Sequence, residues 1–184
     1  MITDISYKHY DGKTAIHFAC LDNNFLFLKQ VIQQGIGINY QDHDGQTALY
    51  LTMDIEMIKI LLEAGANPNL QEVRSKFTPL LYALLWAKKD KFELLVNHTD
   101  LNLKTSFGFT ALMFAAKFDD MTMIEVLINA GADMYSKNNE GEDFYDFLLT
   151  DSKKVINTKY PEYIIQRDFH HTPASTKAYN RRIK

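Results

Sequence analysis

The chain has 184 residues, a formal net charge of −3 and a pI of about 6.1, a balance that excludes a general nucleic-acid binder, which would present a basic face. Its single cysteine, Cys20, excludes an internal disulfide framework and fits a reducing compartment. No stretch approaches the roughly 20 apolar residues that cross a bilayer, and Met1–Tyr7 shows no basic region followed by an apolar run, so the expectation is a cytoplasmic protein that binds no membrane.

In chain order, Thr14-Ala15-Ile16-His17 opens a helix predicted over Ala15–Leu21. Asn23-Asn24 makes a turn, and a second helix, Phe25–Gln34, stops at Gly35. The pattern restarts at Thr47-Ala48-Leu49-Tyr50, but Thr47 to Gly65 spans 18 residues against 21 for Thr14–Gly35 and Thr110–Gly131. The missing residues fall near Leu51–Asp54, which predicts a first helix about one turn short, since one turn is about 3.6 residues. The second helix of that unit is predicted over Ile55–Ala64.

The third start is Thr78-Pro79-Leu80-Leu81, preceded by a loop, Glu72–Phe77, that holds one residue more than its counterparts. Lys76 stands there where the other loops carry glycine, a position that favours positive φ and costs a lysine free energy, so this loop is expected to depart from the others. A helix is predicted over Lys91–His98. The fourth unit, Gly108–Asp133, is the most regular. Thr110 is a good N-cap, Ala111, Leu112, Ala115 and Ala116 give a small packable face, and Met123, Ile124, Val126, Leu127 and Ile128 make a second helix too apolar to face water alone. A fifth unit begins at Asn138–Asp143 and enters a helix over Phe144–Thr150, with Asp143 as the cap. Ser152–Lys159 reads as a divergent second helix ended by Pro161, with Tyr160–Phe169 folding back over the end. Residues 170–184 carry Lys177, Arg181, Arg182 and Lys184 and no acid, and read as a basic, flexible tail.

The four threonines lie 33, 31 and 32 residues apart, glycines recur two residues before Thr14, Thr47 and Thr110, and Asn39, Asn69 and Asn102 follow the second helices. This Thr-Pro-Leu-His-like signature near a 33-residue period resembles the ankyrin repeat family. The resemblance implies an all-α solenoid with short hairpin fingers and four to five helix-turn-helix repeats. It would form a single domain over 1–169, with repeats near 8–40, 41–70, 71–103, 104–137 and a divergent cap at 138–160.

In that family the finger tips and the ends of the first helices vary most and line the concave side. Carried over by offset from each threonine, they give partner-binding candidates Tyr10, His43, Asp44, Arg74, Phe77, Trp86, Phe107, Phe109, Lys117 and Phe118. Phe77, Trp86, Phe107, Phe109 and Phe118 form an aromatic set of the kind that dominates protein interfaces.

His17 and Cys20, three apart on one helix, invite a thiol–imidazole reading as an enzyme or redox sensor. The bland reading is stronger, because no orienting acid or amide and no oxyanion device accompanies them, so catalytic, cofactor and metal sites are all expected to be absent. Asp168, His170 and His171 make a weak metal set in a tail. The expected function is a monomeric, non-catalytic binding module for a partner protein, as a toxin-neutralising immunity protein or an adaptor, with self-assembly as a further alternative.

Overall fold

The computed structural model describes residues 8–35 and 37–171, with side chains as far as Arg167. The helices come in pairs: α1 (Ala15–Leu21) with α2 (Phe25–Gln33), α3 (Ala48–Leu51) with α4 (Ile55–Glu63), α5 (Pro79–Leu85) with α6 (Lys89–Leu95), and α7 (Ala111–Lys117) with α8 (Met121–Asn129). A 3-10 turn over Phe144–Phe147, α9 (Thr150–Lys159) and α10 (Pro161–His171) complete the array. The first helices pack in series, α1 on α3, α3 on α5, α5 on α7 and α7 on the 3-10 turn. Between the two rows lies one continuous core that includes Ile16, Leu28, Leu49, Ile58, Leu80, Phe92, Leu112, Leu127 and Ile156.

Each start follows from its cap. The hydroxyls of Thr47, Thr78 and Thr110 accept the N–H groups of Tyr50, Leu81 and Met113, donors that a helix start otherwise leaves orphaned. Before each cap a finger is pinched shut. Asp42 N–H donates to Gln46 C=O, Thr105 to Phe109 and Asn138 to Glu142. The fingers also bond in register across the array, His43 N–H to Asp11 C=O, Val73 to Asp44, Ser106 to Ser75 and Asn139 to Phe107. Gly108 shows how close this approach is, since a Cβ there would lie 2.5 Å from Asn139 Oδ1, on a backbone with φ of +81°.

The third finger is corrected against expectation. It keeps the hairpin closure, Glu72 N–H to Phe77 C=O, despite the extra residue. In the shorter fingers Asp42 and Asn138 each use one side-chain oxygen to accept two loop N–H groups, those of Asp44 and Gln46 and of Glu140 and Glu142. Glu72, one methylene longer, accepts from Arg74, Ser75 and Phe77 across the longer loop. Lys76 adopts φ of 60° without glycine.

The shortened first helix of the second repeat is found as expected. α3 has four residues where α1, α5 and α7 have seven. The deletion leaves the carbonyls at its C-terminus without a next turn, and Lys91 of α6 fills that gap. Its side chain is 1% exposed, and Nζ donates to Leu49 C=O at 3.2 Å, Tyr50 C=O at 2.8 Å and Thr52 C=O at 2.9 Å. A cation at a helix C-terminus also meets the negative end of the helix dipole. The third repeat's second helix begins at Lys89 rather than Lys91, and ends at Leu95 rather than His98.

The C-terminal end is closed differently. The cross-repeat ladder, in which Asn39, Asn69 and Asn102 accept from Asn67, Asp100 and Asp133, has its last rung at Asp133, whose carboxylate accepts locally from Tyr135 N–H. Tyr135 stacks on Tyr163 of α10 instead, ring centroids 5.3 Å apart. Asp143 caps the 3-10 turn through Tyr145 N–H, and its buried carboxylate pairs with Arg167 of α10, which also bonds Asp146. The helix expected over Phe144–Thr150 is thus a short 3-10 turn followed by a separate α9, whose first turn takes support from Asp119 through Leu149 N–H and the Ser152 hydroxyl. The predicted basic tail lies outside the described residues beyond His171, as do the side chains of Asp168, His170 and His171.

Candidate functional site

The fingers of repeats three to five, with α7 and the 3-10 turn, enclose an open groove of about 570 Å³. Its floor is phenylalanine. Phe77 and Phe109 each precede a capping threonine, Phe114 sits one turn into α7, and Phe147 ends the 3-10 turn. Phe77 meets Phe114 edge-on at 5.4 Å, Phe109 lies 5.4 Å from Phe114 and 5.2 Å from Phe147, and such tilted pairs are the favoured aromatic geometry. Phe107, on the fourth fingertip, is 69% exposed and forms one lip. Lys117, the last residue of α7, holds Nζ 5.4 Å from the centre of the Phe109 ring. Ser75, Thr105, Asn139, Glu140 and Glu142 complete the wall.

Of the ten residues singled out in the sequence, Phe77, Phe107, Phe109 and Lys117 line this groove. Phe77 and Phe109 are half-buried against the core, so they are its floor and not a free surface. Trp86 and Phe118, the C-caps of α5 and α7, are exposed but outside the groove lining. Trp86 instead extends a separate aromatic string, 6.1 Å from Tyr82, which is 4.8 Å from Tyr50. Tyr10 and His43 are exposed on the first two fingers, and Arg74 bonds Asp44 across fingers two and three at 3.2 Å in an exposed pair worth little. Phe114, Phe147, Glu140 and Glu142 escaped the sequence reading. Phe114 and Phe147 had a signal, because aromatics stand four residues after the capping residue in four repeats, Phe18, Tyr82, Phe114 and Phe147, against Leu51 in the second.

His17 and Cys20 do not make a catalytic pair. Thr14 N–H donates to His17 Nδ1 at 3.1 Å, so Nε2 carries the proton and donates to Gln46 C=O at 3.1 Å. Both ring nitrogens are thereby spent tying the first repeat to the second finger, and burial holds the imidazole below its ordinary pKa. Burial pushes the Cys20 thiol up to about 12, against a smaller opposing pull from Lys91. A nucleophilic cysteine needs the reverse shift. Among the described residues no cluster of three or more metal-ligating side chains occurs.

The model for ankyrin repeats (three copies) matches residues 2–72 and 52–138. The chain belongs to the ankyrin repeat family. It is 25% identical over 154 residues to the mouse B-cell lymphoma 3 protein homolog, covering 79% of this chain and 34% of that protein. It is 29% identical over 135 residues to mouse neurogenic locus notch homolog protein 1, 71% of this chain and 5% of that one. A putative ankyrin repeat protein of fowlpox virus (strain NVSL) shares 31% over 102 residues, 53% of this chain and 17% of the relative. The chain thus spans about a third or less of these curated relatives. Among solved structures, the ankyrin repeat domain of Bcl-3 superposes with a TM-score of 0.76 at 22% identity, covering 84% of this chain and 72% of that one. An ankyrin array of this kind is an interaction scaffold, and no helix among the described residues is long and apolar enough to cross a membrane.

Proposed function

We propose that this ankyrin array holds a partner protein on its finger side, with the phenylalanine groove of repeats three to five as the anchor. The observation that carries the reading is Phe107, a large apolar ring 69% exposed at the lip of a groove floored by four more phenylalanines. Aromatic anchors seated in pockets supply most of the energy of protein interfaces. Inter-finger hydrogen bonds hold the groove's walls in place before any partner arrives, which keeps the ordering cost of binding low. Such a groove suits a stoichiometric inhibitor or immunity-type role, or an adaptor subunit. A buried, high-pKa cysteine supports a cytoplasmic, non-catalytic protein. Partner capture by the wild-type chain, compared with Phe107→Ala and Trp86→Ala, tests this. The groove reading expects Phe107→Ala to weaken capture about tenfold, a loss of about 1.4 kcal/mol, with the thermal melt unchanged. Equal capture by Phe107→Ala moves the binding surface elsewhere, and loss with Trp86→Ala alone moves it to the aromatic string of repeats two and three.

A further inference from the structure

The groove's charges are as informative as its rings. Glu140 and Glu142 stand on the fifth finger, and neither is ion-paired among the described residues. This contrasts with finger two, where Asp42 holds Lys13 and Asp44 holds Arg74. Lys117 lines the same groove, is likewise without an ion pair among the described residues and lies 5.4 Å from the centre of the Phe109 ring, so the groove carries two carboxylates against one ammonium. The fourth and fifth fingertips are neighbours, Phe107 C=O accepting from Asn139 N–H at 3.2 Å. An exposed aromatic ring therefore adjoins a lip with two carboxylates outside any ion pair among the described residues, Glu140 exposed and Glu142 half-buried with Oε2 accepting from Asn138 Nδ2 at 2.9 Å. A ring face and a carboxylate side by side are what a lysine or arginine side chain is recognised by, the first through cation–π attraction and the second through a charge-assisted hydrogen bond.

Resting on the partner-protein reading above, we propose that the groove takes an extended segment of the partner in which a bulky apolar side chain is flanked by lysine or arginine. The apolar side chain seats on the phenylalanine floor. The cation lies over Phe107 and reaches Glu140 and Glu142. Charge complementarity selects this chemistry over an acidic segment, which would set like charges together at the fifth finger, a juxtaposition that interfaces use to reject wrong partners.

The test is selection of a random peptide library on the full chain, with the enriched peptides titrated against Phe107→Ala, Glu140→Lys and Glu142→Gln by fluorescence polarisation. Phe107 and Glu140 are exposed at the groove's rim and Glu142 is half-buried beside them, and thermal melts check that each variant folds. The expected enrichment is a bulky apolar residue beside Lys or Arg, with affinity lowered about tenfold by Phe107→Ala and by Glu140→Lys, and more weakly by Glu142→Gln. Repeating the selection on Glu140→Lys should move the flanking residue to Asp or Glu while keeping the apolar anchor. Enriched peptides that lack the basic residue, or that bind all variants equally, overturn the proposal. So does the absence of any enriched peptide, which rejects an extended segment as occupant. That result leaves the partner-protein reading to its own test, because a folded surface can still be captured in a Phe107-dependent way.

Discussion

Repeats two and four begin from the same capping threonine and diverge after one turn. In repeat four the first helix runs seven residues, turns at Asp119 with φ of 53° and leads into α8. In repeat two the helix stops after four, Thr52 goes extended, and the missing turn is replaced by a lysine ammonium from the next repeat. The regular unit is held mainly by apolar fit. The shortened one is held by hydrogen bonds to carbonyls that no apolar side chain could satisfy. A repeat can therefore lose a turn if a neighbour supplies the donors, but it then ceases to be a self-similar unit.

The largest effect expected from breaking this contrast is in repeat four. Leu127 is fully buried, and Leu127→Ala should cost roughly 2–5 kcal/mol in urea unfolding through lost burial and a cavity. An unchanged midpoint would take α8 out of the core. In repeat two, Lys91→Met should cost roughly 2–4 kcal/mol, because the same apolar volume leaves three buried carbonyls unsatisfied. A neutral outcome would mean that water reaches those carbonyls.

Lys91 also gives repeat two a pH signature. Burial pushes its ammonium from 10.5 down to about 7, while the three carbonyls that engage all its N–H groups favour the charged form. With the folded pKa below the unfolded one, the unfolded chain binds more protons between about 7 and 10.5. Stability should therefore rise with pH across that window. Wild type minus Lys91→Met, followed by urea unfolding from pH 7 to 10, should show the rise. A flat difference would mean that the carbonyls offset burial completely.

Smaller effects sharpen the same comparison. Glu72→Asp should cost about 1 kcal/mol, since the shorter carboxylate cannot reach all three loop N–H groups it now accepts. Phe107→Ala should change stability by less than about 0.5 kcal/mol, as an exposed side chain does, in contrast with Leu127→Ala. Smallest of all, Cys20 should show no reaction with thiol reagents at neutral pH until the chain unfolds, and a fast native-state reaction would contradict its burial.

Much of this was legible in the sequence. The spacing of Thr14, Thr47, Thr78 and Thr110 carries the solenoid, because each threonine satisfies a helix start and each recurrence marks a unit that must stack. The shortened α3 was legible too, as a count of residues between Thr47 and Gly65. The role of Lys91 was not, since a lysine near a helix start reads as surface. The clue lay in the deletion itself, because a helix cut short inside a core must find donors for its last carbonyls. Glu72 is a similar case, a longer acid where Asp42 and Asn138 serve shorter loops. The groove was half legible. Phe77 and Phe109 are legible from their place beside the threonines, whereas Phe114 and Phe147 show only as an aromatic recurring four residues after the capping residue. Trp86 and Phe107 both fall at variable family positions by offset from their threonines, yet they belong to different aromatic sets.

The Lys91 contacts also set a schedule for synthesis. An array that contacts only its neighbours can close one repeat at a time as the chain emerges. Here the C-terminus of α3 waits for a residue 39 to 42 positions downstream. At about 5–20 residues per second, that wait is roughly 2–8 seconds. During it, repeat two has open carbonyls and an unfinished turn, and repeats two and three must then close as one step.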